Sequence, residues 1–218
     1  MNRKKNRVVV IDYQMSNLFS VQNACNYVGM NAIITSDKNI IMKADAAILP
    51  GVGAFGNAMS NLKKLDLIGS IQEFIQMGKP FMGVCLGMQL LFTESEEFGY
   101  HKGLDIIKGK VKKFSKSSGD KIPQIGWNKI NKVKNDKTRW KASPLREIKD
   151  DEYAYFVHSY FVEPEDKDVV LSVTRYADID YCSSIISGNI FATQFHPEKS
   201  GQEGIKIYKT WAELIKKR

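Results

Sequence analysis

Four short apolar runs, Val8-Val9-Val10-Ile11, Ala32-Ile33-Ile34, Ala46-Ala47-Ile48-Leu49 and Phe81-Met82-Gly83-Val84, punctuate the first part of the chain. Runs of this length read as buried strands. Between the first two, Leu18, Val21, Cys25 and Val28 recur at helical spacing and Gly29 closes the turn. Ahead of the fourth, Ile68, Ile71 and Ile75 share one helix face that ends at Gly78. Repeated strand–helix–strand order demands a parallel sheet with right-handed crossovers. Functional groups in such sheets gather at the carboxyl ends of the strands, where Asp12, Pro50 and Cys85 fall.

The second part differs in pattern. Residues 107–133 carry short alternating runs (Val111, Phe114; Ile122, Ile125; Ile130) broken by Ser117-Ser118-Gly119-Asp120. The segments 153–157 and 169–173 are rich in strand formers, and 185–191 reads as a hairpin around Gly188-Asn189. These are expected to extend the sheet with antiparallel strands. Polar residues 134–150, with Pro144, read as loop, and Ile205, Tyr208, Ala212 and Ile215 place one face of a final helix on the sheet. The expected fold is α/β, a mostly parallel central sheet flanked by helices and extended by antiparallel strands, in a single domain over 1–218.

No apolar run approaches the roughly 20 residues of a membrane span. Cys25, Cys85 and Cys182 lie far apart, without metal-ligand spacing, and an odd number argues against a disulfide framework. A reduced, cytoplasmic setting with no metal is the expectation. The net charge of +8 is concentrated in residues 102–150, which hold 15 Lys or Arg against 5 Asp or Glu. No nucleic-acid motif or aromatic stacking pattern accompanies that block, so a solvated face or a dock for an acidic partner is expected rather than nucleic-acid binding.

Three stretches carry candidate chemistry. Cys85 sits between a strand and a helix read as starting at Met88-Gln89-Leu90-Leu91-Phe92, with Gly83 and Gly87 two residues to either side. A nucleophile in a sharp turn needs neighbours without side chains, and a helix N-terminus favours a thiolate. A small buried core cysteine fits the stretch as well. Pro50-Gly51-Val52-Gly53-Ala54-Phe55 is too short for a phosphate loop but suits an oxyanion hole, or a plain turn. In Phe195-His196-Pro197-Glu198, a His and a Glu two apart in an extended segment point to one side, so the carboxylate can orient the imidazole. His101, in a polar loop, and His158, with no acid beside it, compete poorly. Taken jointly, the three stretches point to a Cys85–His196–Glu198 triad.

Gly83-Val84-Cys85-Leu86-Gly87-Met88-Gln89 with His196-Pro197-Glu198 resembles the triad-type, class I glutamine amidotransferases. Within them, the 50–55 stretch, Gly126-Trp127-Asn128 and Tyr155-Phe156-Val157-His158-Ser159-Tyr160 are similar to glutaminase subunits of imidazole glycerol phosphate synthase. The resemblance implies hydrolysis of glutamine without a cofactor. Cys85 would be the nucleophile, with the oxyanion met by the Leu86 N–H and one from Gly51, Val52 or Gly53. Glutamine would be held near Gln89 and the backbone of Ser159 and Tyr160. Ammonia would pass to a (β/α)8-barrel cyclase in a heterodimer, with Val52 the residue to watch as a switch. A glutaminase feeding a cell-surface sugar amidotransferase is the alternative, and an inactive scaffold a further one.

Overall fold

The computed structural model describes residues 6–15, 17–115, 120–133 and 137–216. Five strands form its parallel heart: β1 (Arg7–Ile11), β2 (Asn31–Thr35), β3 (Ala46–Gly51), β4 (Phe81–Cys85) and β13 (Ile190–Thr193), in the order β2-β1-β3-β4-β13. The connections are helical: α1 (Leu18–Tyr27), α2 (Lys38–Lys43), then α3 (Phe55–Lys64) and α4 (Ile68–Gln76). Alternation along each strand splits the core. Val9, Ile11, Ala47, Leu49 and Phe81 face α3 and α4, whereas Val8, Val10, Ala46, Ile48, Met82 and Val84 face α1 and the last helix, α7 (Gly201–Lys216). Each run therefore reads as continuously apolar because both its faces are covered.

Past β13 the sheet continues through β12 (Ile179–Ser187), β10 (Tyr160–Pro164) and β7 (Ile107–Lys113), and ends in β5 (Phe92–Ser95) and β6 (His101–Lys102). Here the pairing is antiparallel except between β7 and β5, which run parallel. A branch leaves β12 through β11 (Val170–Tyr176) to β8 (Gln124–Lys132) and β9 (Glu152–His158). The β12–β13 hairpin turns at Gly188, whose φ of 57° suits a residue without a Cβ.

Two expectations need correction. The helix after Cys85 is α5, Leu86–Leu90, and the chain enters β5 at Phe92 instead of running on as helix. The polar stretch expected as loop carries α6 (Lys137–Ala142), while its residues 134–136 lie outside those described. Trp140, Leu145 and Ile148 from that stretch are buried, and Trp140 Nε1 donates to the Ile148 carbonyl at 3.1 Å. Ser117, Ser118 and Gly119, expected to break the strands, also lie outside the described residues. In the basic block, the β7 lysines are exposed. Lys108, Lys110 and Lys112 alternate along β7 and pair with Asp105, Glu94 and Glu163 at 2.7, 2.9 and 2.6 Å. Exposed pairs of this kind add little to stability.

Candidate active site

The site forms where β3, β4 and β13 end. Cys85 closes β4 with φ 54° and ψ −112°, a strained backbone for a residue with a side chain. The turn is possible because the chain packs on itself with no space for side chains. A Cβ on Gly87 would lie 1.7 Å from the Leu49 carbonyl oxygen, and one on Gly51 would lie 2.2 Å from the Tyr13 hydroxyl. Leu86 opens α5, so its N–H has no acceptor within the helix.

His196 lies three residues past the end of β13 and is 2 % exposed. Its backbone N–H donates to the Tyr155 carbonyl at 2.9 Å, and the His196 carbonyl accepts from Ser200 Oγ at 2.7 Å. The Nδ1 atom lies 2.8 Å from Glu198 Oε1, both side chains being almost fully buried. Glu198 reaches back through a 3-10 turn over Pro197–Lys199, not along the extended segment expected from the sequence. With Nδ1–H committed to the carboxylate, Nε2 is the free nitrogen, buried and without another partner of good geometry. Burial disfavours the imidazolium, but the Cys85 sulfur and the Glu198 carboxylate together outweigh it and raise the ring to about 10. Both partners therefore favour the protonated ring.

A cavity of about 200 Å³ opens over the sulfur, lined among others by Val52, Gly53, Cys85, Leu86, Gln89, Ser159 and Tyr160. The fold thus brings these candidate residues to one place, while Gly51 pairs with Cys85 in the sheet beneath. The Val52 N–H does not point into the cavity. It donates to the Met15 carbonyl at 3.0 Å, so in this state the loop withholds the donor expected to meet an oxyanion. The carbonyls of Ser159 and Tyr160 are likewise engaged inside the fold, the first by the Phe114 N–H at 3.1 Å and the second by Gln89 Nε2 at 2.9 Å.

Two lining residues escaped the sequence reading. Glu97 is half buried and accepts the Phe55 N–H at 2.6 Å, and burial pushes its carboxyl group up. Nothing in the run Glu94-Ser95-Glu96-Glu97 marks one acid as the inward one. His158, set aside for want of an acid, also lines the cavity, with Nδ1 2.8 Å from the Tyr160 carbonyl and Nε2 3.2 Å from the Tyr181 hydroxyl. Burial lowers it to about 4, so it is a neutral, hydrogen-bonded ring and not a second base. Among the described residues, no cluster of His, Cys, Asp or Glu could hold a metal ion, and the three cysteines are free and buried.

Residues 9–212 match the family model for class-I glutamine amidotransferases. The chain is 48% identical over 207 residues to the imidazole glycerol phosphate synthase subunit HisH of Caldanaerobacter subterraneus, covering 95% of this chain and 98% of that one. It is 45% identical over 212 residues to the HisH of Aquifex aeolicus, covering 97% and 98%. Among solved structures, PurLQS from Thermotoga maritima superposes with a TM-score of 0.73 at 20% identity, covering 97% of this chain and 99% of that one. The glutaminase domain of Trypanosoma brucei CTPS with bound acivicin gives 0.66 at 15% identity, covering 98% and 95%. At those identities the likeness is one of fold.

Proposed function

The chain belongs to the class-I glutamine amidotransferases and, within them, to the HisH subunits of imidazole glycerol phosphate synthase, and on that footing we propose how its site works. The whole chain acts as one glutaminase domain that hydrolyses glutamine and supplies ammonia for histidine biosynthesis. The observation that carries the reading is Cys85 on its strained turn at the strand ends, together with a buried imidazole whose Nδ1 Glu198 holds at 2.8 Å.

Glutamine enters the cavity with its side-chain amide over Cys85. Glu97, on the cavity wall, faces its α-ammonium group, and Gln89, Ser159 and Tyr160, on the same wall, border the rest of the molecule. The Cys85 thiolate adds to the amide carbon, and the negative charge moves onto the carbonyl oxygen. The Leu86 N–H meets that charge at once. The Val52 N–H joins it after the loop of Gly51, Val52 and Gly53 turns and gives up its bond to Met15. As the C–N bond breaks, His196 Nε2–H protonates the departing nitrogen, which leaves as ammonia, and a thioester remains. Water then attacks the thioester and gives its proton to Nε2. Glutamate departs, and the thiolate–imidazolium pair is restored.

Free ammonia would be protonated in water, so it is used by a (β/α)8-barrel cyclase docked over the site in a cytoplasmic heterodimer. An exposed strip of Ile125 and Trp127 on β8 lies beside Tyr155, whose carbonyl holds His196, and provides the apolar surface for that contact. The test is glutamate release by the purified chain with and without the cyclase and its ribotide substrate. Wild type should be strongly stimulated, and Cys85→Ser should lose at least about a thousandfold. Cys85→Ser releasing glutamate like wild type would overturn the chemistry; absence of stimulation would overturn the choice of partner.

A further inference from the structure

Two glutamine side chains link the nucleophile to a fixed backbone carbonyl, and hydrogen-bond bookkeeping leaves their amides one arrangement. The Tyr160 carbonyl oxygen accepts from His158 Nδ1 at 2.8 Å and from Gln89 Nε2 at 2.9 Å, so both its lone pairs are used. A carbonyl cannot donate, which requires the Gln89 atom facing it to be the nitrogen. The second hydrogen of that nitrogen goes to Gln194 Oε1 at 3.0 Å. Gln194 must then present its own NH2 group at its other edge, and there Gln194 Nε2 stands 3.6 Å from Cys85 Sγ. Reversing Gln194 would set two donors against each other on one side and an oxygen against sulfur on the other. Gln89 is 5 % exposed and Gln194 0 %, so no water takes over these bonds.

We propose that Gln194 is a positioning residue for the nucleophile: its amide, oriented through Gln89 by the Tyr160 carbonyl, donates to the Cys85 sulfur, holding the side chain toward the substrate and favouring its ionised form. The proposal rests on the glutaminase reading and adds to it a residue that neither touches glutamine nor moves a proton. Gln194 has a clear structural duty as well, because its backbone N–H donates to the Ser183 carbonyl at 2.9 Å. The test must therefore read the sulfur, not the fold.

The rate of Cys85 alkylation by iodoacetamide is measured against pH on the purified full chain without glutamine, with peptide masses assigning the label to Cys85. His196, Tyr13 and Tyr181, the titratable groups whose charges interact with that of Cys85, are unchanged in every variant. Gln194→Met, of similar volume and without a donor, should move the midpoint of the profile up by about half a unit to one unit. Gln194→Glu keeps an acceptor for Gln89 but turns a carboxylate toward sulfur, and should move it further. Gln89→Met leaves residue 194 intact with its amide free to rotate, and should give a smaller shift of the same sign even if the first two variants fold poorly. Midpoints equal to wild type in every folded variant, with only melting temperatures lowered, would overturn the proposal. Failure of the glutaminase reading looks different: Cys85→Ser would then still release glutamate, whatever the alkylation profiles.

Discussion

His158 and His196 are both buried imidazoles near the same cavity, yet their surroundings drive them in opposite directions. Around His196, the Cys85 sulfur and the Glu198 carboxyl group overcome burial; around His158, burial wins because its neighbours are a carbonyl and a phenol. The consequence for stability follows from the sign. His158 is lowered from 6.5 to about 4, so its neutral form supports the fold fully above about 6.5, and that support drains away as pH falls toward 4. Urea unfolding at pH 7.5 and 4.5 should show wild type losing roughly 2–3 kcal/mol more across that interval than His158→Asn. Equal losses would mean that His158 stays unprotonated in neither state more than the other. At this scale, residues with distinctive chemistry were readable in the sequence. Cys85 between glycines and His196 two residues before Glu198 announce themselves by identity and spacing. Glu97 and Gln194 do not, because an acid among acids and an amide after a strand acquire meaning only from what lies across the fold.

Elements were legible where their periodicity was strong. The four apolar strands and the helices α1, α4 and α7 follow from the spacing of their buried residues. α6 did not stand out, since Trp140 is the one large apolar side chain in a six-residue helix otherwise polar or small. Its burial depends on Leu145 and Ile148 arriving from beyond Pro144, a contact no local pattern encodes. The five-residue α5 was overextended for the opposite reason: Leu90, Leu91 and Phe92 are all buried, and apolar continuity alone cannot tell helix from strand. The elbow's glycines allow a direct comparison. Gly87→Ala places a carbon against the Leu49 carbonyl and should cost about 3 kcal/mol or more, together with glutaminase activity. Gly69→Ala, in α4 with nothing within 4 Å of the added carbon, should raise stability by about 0.5–1 kcal/mol. Thermal melts of the two variants check both signs.

For the molecule as a whole, the antiparallel branch carries an apolar strip past the end of the parallel sheet where Cys85 lies. Trp127 is 56 % exposed and Ile125 65 %, on a strand whose partner ends at the cavity wall in Val157 and His158. An exposed tryptophan packed edge-on against Tyr155 is the kind of anchor that dominates protein association. On the proposed pairing, Trp127→Ala should weaken binding to the cyclase by about tenfold or more, read by titration calorimetry, with the melting temperature of the free chain unchanged. The bond from the Val52 N–H to the Met15 carbonyl then bears on cellular economy. A surplus of this subunit over its partner would sit idle instead of draining the amino-acid pool, so the two genes would tolerate unequal expression. The wasteful imbalance would be confined to mutations that free that loop in the solitary chain.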